Sequence, residues 1–365
     1  MMSCKAGDVM GQKKIQHKAN VKSHEVYCGA GVTPAIAFFG TPSFAAVSLQ
    51  ALIGSGRNVV CVVTQPDKPV GRGGRVEYPP VKKLALENNI PVLQPDKISK
   101  ELELLDQYKP DIIVTCAFGQ ILRQNVLDYC KHGVINVHAS LLPKYRGASP
   151  IQQAIINGET KTGVTIMQTD IGMDTGDIIL AKEIDIHEDE TAGELFERLS
   201  VLGASTLLEA LELISSGRAV RTPQNHSKAT HIPMIKKEHG KIDFSKSAKD
   251  IQNHVRGMNP WPVAFCTLND ELVRIYKAIQ VICVSNDPEK SVVCKENGVV
   301  CETNNPGDKQ KQVVGQIIKA DKNGLYVQCG EGILSIEQLQ ASGGKVMNFR
   351  DFLNGKKIQV GDVFQ

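Results

Sequence analysis

The sequence has no apolar stretch long enough to cross a bilayer. Runs such as Ala35 to Phe39 and Val59 to Val63 fall far short of the roughly 20 residues that a membrane helix requires, so no membrane partner is expected. It also lacks paired or clustered cysteines. The ten cysteines stand at 4, 28, 61, 116, 130, 266, 283, 294, 301 and 329, mostly inside apolar runs, and no two show the two-residue gap of zinc or redox motifs. Reduced structural thiols are the expectation. With no signal-peptide pattern, they point to a reducing compartment: the cytoplasm, or alternatively a mitochondrial or plastid matrix. Residues 1–33 contain no Leu and no Arg, and their five Lys and two acidic residues follow no apolar period. Such a stretch buries too little surface to order itself, and it reads as a flexible leader. The missing arginine counts against a transit peptide, which is normally Arg-rich; an upstream start codon or a basic arm is equally open.

A chain of 365 residues, 42% hydrophobic and 22% charged, is long enough for two ordinary globular domains. The net charge of +3 is unevenly spread, since residues 223–365 hold 19 Lys and Arg against 15 Asp and Glu. That bias is small, and on charge alone a solvated surface explains it better than a nucleic-acid partner does.

From Ala35 the pattern alternates between strand and helix. Apolar runs at Ala35 to Phe39, Val59 to Thr64 and Ile112 to Ala117 are interleaved with helical spacing at Phe44, Val47, Leu49 and Leu52, near Val81 to Asn89, and at Ile121 to Tyr129. Further strands, Gly133 to Val137 and Val164 to Thr169, run into the polar segments His138 to Pro150 and Asp170 to Asp177. The expectation is an α/β domain with a doubly wound, mostly parallel sheet over residues 34–220, closed by a helix from Ala192 to Ser215. Ligands of such a sheet sit at the carboxyl ends of its strands, and both polar segments are expected to leave there. Residues 221–238 read as a linker. Short alternating strands in residues 239–365, from Val263 to Leu268 through Ile333 to Gln338, suggest a small OB-like β-barrel, with Glu289 to Gln312 as a polar loop.

Asn136 and His138 lie two residues apart at a strand end, so both side chains project to one side. Alone, Asn-x-His is weak: a loop-capping His and a turn-satisfying Asn explain it better. The second polar segment, Asp170-Ile171-Gly172-Met173-Asp174-Thr175-Gly176-Asp177, brings three carboxylates and two glycines. Calcium is one reading, weakened because the EF-hand ligand ladder and its closing Glu are missing; a polar hairpin is another. The first long loop, Gln65 to Lys83, carries Lys68, Arg72, Arg75, Lys82 and Lys83, an array suited to phosphates or simply to solvent.

Taken together, these segments resemble the folate-dependent formyltransferases, and within them those that act on a charged initiator tRNA. The likeness spans Ile36 to Phe265. It rests on Phe39-Gly40-Thr41-Pro42, Thr64-Gln65-Pro66-Asp67, Gly71-Arg72-Gly73, Asn136-Val137-His138, Ser140-Leu141-Leu142-Pro143, Tyr145-Arg146-Gly147-Ala148, Thr162-Gly163-Val164-Thr165, Asp174-Thr175-Gly176-Asp177 and Asn259-Pro260-Trp261-Pro262. Ala139 stands where many relatives carry Pro or Gly, and a small residue fits there too.

The resemblance implies Asn136, His138 and Asp174 as the catalytic group, with Ser140, Leu141, Leu142 and Pro143 lining the folate site. It implies 10-formyltetrahydrofolate as co-substrate, no metal, and initiator methionyl-tRNA as partner, held by Lys68, Arg72 and Arg75 and by the barrel. A sugar-nucleotide amine is the alternative acceptor. A non-catalytic tRNA- or folate-binding protein is another alternative, but it would be expected to have replaced at least one of the catalytic three. A monomer is the simplest expectation, and Trp261 reads as a core or interdomain wedge.

Formyl transfer independently asks for these residue types. Charge develops on the formyl oxygen, which an Asn amide and a protonated imidazole stabilise, and a carboxylate beside the ring favours the imidazolium or takes the proton from the attacking amine.

Overall fold

In the computed structural model of the protein, the strand and helix signals of the first half build one seven-stranded sheet. The structure describes residues 33–70, 75–281, 283–284, 293–294, 299–300, 313–355 and 358–365. Nearly all of the expected leader, Arg72, and most of Glu289 to Gln312 lie outside the described residues. The strand order is Ile178–Asp185, Lys161–Gln168, Val134–His138, Ile112–Cys116, Ile36–Gly40, Val59–Val63 and Val92–Leu93. From Val134–His138 onward in that order, neighbours run parallel.

Successive strand residues face opposite sides of the sheet, and both sides are covered. Ile36, Phe38, Val62 and Val114 pack on one side with helices Ser43–Gly54 and Ala192–Ser215, while Ala37, Phe39, Cys61 and Ile113 pack on the other with Val126 and Leu127. Burial on this scale stabilises by roughly 1.5–3 kcal/mol per large side chain. The helix Ala192–Ser215 starts at a capping box formed by Thr191 and Glu194, and it turns Leu195, Leu199, Leu207 and Leu211 onto the sheet at helical spacing.

Both polar segments leave the carboxyl ends of their strands as expected, but the pairing of Lys161–Gln168 puts those two ends at opposite ends of the ladder. This strand is antiparallel to Val134–His138, with His138 opposite Thr165 and Ile135 opposite Gln168. Segment 169–177 therefore departs beside Ile135, and it returns directly into the antiparallel strand Ile178–Asp185. A connection of that length is too short for the dozen or more residues of a parallel crossover, so a hairpin is what it permits.

The second domain is an antiparallel sheet in the order Ala264–Leu268, Glu271–Val281, Ile333–Ala341, Gly324–Gln328 and Ile317–Asp321. The end of the chain closes it. Gln365 exchanges two hydrogen bonds with Thr267 on one edge, and Phe364 donates to the Gly315 carbonyl beside the other. Helix Ala248–Gly257, capped by Ser247, packs Ile251 and Val255 into this core. Trp261 is not the buried wedge expected of it: at the domain junction it is 51% exposed. No described helix is long and apolar enough to cross a membrane.

Cys61, Cys116, Cys130, Cys266 and Cys329 are buried and unpaired, and burial pushes the thiols of Cys61 and Cys116 up to about 12. The stabilisation from these protonated thiols is complete below the ordinary value of 9.0 and is lost as pH climbs toward 12. At mildly alkaline pH, iodoacetamide should leave the peptides bearing these cysteines unlabelled in the native protein and label them in denaturant. Labelling of native Cys61 or Cys116, read by mass spectrometry, would contradict this packing.

Candidate active site

Asn136 and His138 project from the same face of Val134–His138, as their spacing requires. The cross-strand neighbour of Asn136 in the parallel ladder is Thr115, whose hydroxyl donates to Asn136 Oδ1 at 2.8 Å. The amide nitrogen Nδ2 has no protein partner among the described residues and stands as an open donor. His138 is buried, and its Nε2 lies 2.9 Å from the Tyr145 carbonyl oxygen. A carbonyl only accepts, so Nε2 carries a hydrogen, and Nδ1 is the ring nitrogen turned away from this contact. Nδ1 lies 3.7 Å from Asp174 Oδ2, too long for a hydrogen bond but close enough for charge to act.

Asp174 reaches His138 because its loop is turned back and tied down. At Gly176 a Cβ would stand 1.7 Å from the Gln168 carbonyl oxygen, so only glycine permits the turn. Asp174 itself has φ +54, a left-handed conformation that Asp tolerates better than most residues. The Gly147 N–H donates to Asp174 Oδ2 at 2.8 Å and fixes the carboxylate. Gln224 fixes the backbone, donating to the carbonyls of Asp174 at 2.9 Å and Gly176 at 2.7 Å. Asp170 takes the Gly172 N–H and the Thr175 hydroxyl, so its carboxylate holds the loop together from within.

The segment 221–238, expected as a linker, connects the domains while forming part of this site. Thr222 pairs with Ile178, and His231–Ile232 pairs in parallel with Arg146–Gly147. The buried Gln224 accepts two hydrogen bonds from the equally buried Arg146, whose Nη2 also lies 3.2 Å from His226 Nδ1. Nothing in the composition of 221–238 sets Gln224 apart. A trace for Thr115 exists, since it is a hydroxyl within the apolar run Ile112 to Cys116.

The loop Ser140 to Pro143 follows His138 directly. Ser140 is buried and its hydroxyl donates to the Lys144 carbonyl, while Thr165 donates to the Ser140 carbonyl and accepts from the Leu142 N–H. Leu142 is buried, and Leu141 and Pro143 are half-buried. In the basic loop, Lys68 is exposed on the short hairpin Lys68–Val70 with Arg75–Glu77. Lys82, grouped with the phosphate-suited cations above, is instead tied to Asp67 and Gln94 at 2.6 Å each, with its ammonium over the Tyr78 ring. The ammonium beside Asp67 holds that carboxyl below its ordinary value.

Residues 34–211 match the model of the formyl transferase family, and residues 234–357 match that of the formyl transferase C-terminal domain. The chain is 43% identical over 330 residues to the methionyl-tRNA formyltransferase of Ruminiclostridium cellulolyticum, covering 90% of this chain and 98% of the relative. It is 45% identical over 329 residues to that of Clostridioides difficile, covering 89% and 98%. Among solved structures, the N-formyltransferase of Helicobacter canadensis, in complex with folinic acid and dTDP-3-aminofucose, shares the fold with a TM-score of 0.59 at 20% identity, covering 83% of this chain and 98% of that one.

Replacing Gln224 by Leu removes the acceptor of a buried guanidinium and the donor to two loop carbonyls. Chemical denaturation should show a loss of roughly 2–4 kcal/mol, from the cost of buried polar groups left unpaired. A change of under 0.5 kcal/mol would mean the network is not what holds the loop.

Proposed function

Since the chain belongs to the formyl transferase family, we propose that it moves the formyl group of 10-formyltetrahydrofolate to the α-amino group of methionyl-initiator tRNA. Relatives 43–45% identical over about nine-tenths of the chain carry the name methionyl-tRNA formyltransferase, which supports this acceptor. The observation that carries the chemistry is the open Asn136 Nδ2 on the same strand face as His138, whose Nδ1 stands 3.7 Å from Asp174 Oδ2.

In this reading Asn136 Nδ2 donates to the formyl oxygen as the amine attacks and the oxygen gains charge. One such donor is worth about 3–4 kcal/mol in comparable sites. Its nitrogen is already oriented, so little reorganisation accompanies the reaction. His138, protonated on Nδ1, adds a second donor, and the Tyr145 carbonyl holds the ring from behind. Asp174 balances the ring's charge and accepts, directly or through water, the proton that the amine nitrogen must lose once it has bonded to the formyl carbon. An α-amino group has an ordinary pKa near 7.7–8.0, so modest base assistance suffices. The same proton, passed on to the folate nitrogen as its bond to the formyl carbon breaks, lets that nitrogen leave neutral. The sequence of steps balances without a metal or redox partner.

Ser140, Leu141, Leu142 and Pro143 are assigned to the folate side. The half-buried Leu141 and Pro143 offer an apolar rim, while Ser140 and Leu142 shape the loop from inside. Lys68, Arg72 and Arg75 are assigned to tRNA phosphates, with the closed β-domain as a further platform. We place the reaction in the cytoplasm, or in an organelle matrix, and take the monomer as the working unit.

Single-turnover transfer of labelled formyl should proceed to charged initiator tRNA and fail with uncharged tRNA. The Asp174→Ala and Asn136→Ala variants should each lose 10²-fold or more, roughly the loss seen when one oxyanion donor is removed. Transfer to an amino-sugar nucleotide instead would reassign the acceptor, and full activity in both variants would remove the catalytic assignment. Lys68→Ala should weaken tRNA binding and lower the slope of log affinity against log salt by about 1. An unchanged slope would place Lys68 away from the phosphates.

A further inference from the structure

We infer that Thr115 is a positioning residue for the reaction, acting through Asn136; the inference rests on the oxyanion role proposed above. Thr115 is buried in the strand Ile112–Cys116, whose other residues are apolar or thiol-bearing and fully packed. A valine of the same shape would fill that position without the cost of burying a hydroxyl. What the hydroxyl meets is the Asn136 amide oxygen at 2.8 Å, with the Ile135 carbonyl as a longer second acceptor at 3.2 Å.

The terminal torsion of an asparagine is soft, and its amide has two nearly isosteric settings. With Oδ1 turned to Thr115, Nδ2 is left as the open donor on the strand face that also carries His138. Rotated by half a turn, the amide would present its oxygen to an oxygen gaining negative charge, and a stabilising contact would become a repulsive one. The Thr115 proton on Oδ1 favours the first setting. Parallel register places Thr115 and Asn136 directly opposite each other on one face, so the contact is built into the sheet rather than into a mobile loop.

The experiment is a double-mutant cycle on the full chain, read by single-turnover formyl transfer with both substrates saturating and by KM for each. Thr115→Val should slow the chemical step about 5- to 10-fold, the scale of one hydrogen bond, with each KM within about two-fold of wild type. Thr115→Ser should restore the rate. In the Asn136→Ala background, Thr115→Val should have no further effect, whereas a merely structural role would slow both backgrounds alike. A wild-type rate in Thr115→Val beside an impaired Asn136→Ala overturns the role of Thr115 and leaves that of Asn136 standing. Equal slowing in both backgrounds also overturns it. A wild-type rate in Asn136→Ala overturns both.

Discussion

The hydrogen bond from the Gly147 N–H to Asp174 Oδ2, at 2.8 Å, is where two separate parts of the chain become one site. Asp174 belongs to a hairpin loop that starts beside Ile135, and His138 belongs to the far end of the neighbouring strand. Without that N–H, a left-handed aspartate in a loop has many places to point. The donor is itself held: Gly147 pairs with Ile232, at φ +115, and a Cβ there would lie 2.2 Å from the Ile232 carbonyl oxygen. The carboxylate's position thus depends on the docking of the segment that leads into the second domain.

The surrounding network divides the work between rigid and adjustable parts. Asn136, His138 and Thr115 sit on central strands whose side chains interlock with a buried core, so their relative positions follow from the ladder. Asp174 sits on a loop stitched by Gln224, Gly147 and the internal bonds of Asp170. Arg146 brings a buried positive charge close behind that loop, and Gln224 links the guanidinium to the loop carbonyls through its amide. A neutral amide can accept from the one and donate to the other at once, which neither a carboxylate nor an ammonium could do.

The basic hairpin shows how charge counted from sequence separates into functions. Lys82 bridges Asp67 and Gln94 at the root of the hairpin and is committed to folding, whereas Lys68 on the hairpin strand stays exposed. Composition weighs the two lysines alike. Their surroundings give them different work.

The alternation of strands and helices, the helix from Ala192 to Ser215, a second domain of short strands and the projection of Asn136 and His138 to one side were all legible in the chain's periodicity. These follow from periodicity and from turn chemistry, which act between residues close in the chain. The sequence also marked Asp174 as a candidate, though not how it arrives. The antiparallel course of Lys161–Gln168, the exposure of Trp261 and the contacts of Thr115, Gln224 and the Tyr145 carbonyl emerge only from the packed chain. Each of these depends on groups that meet across long stretches of chain, such as Gln224 with Asp174. Such pairings are set by how whole elements pack, and apart from the lone hydroxyl of Thr115 within its apolar run, the local sequence around either partner carries no record of them.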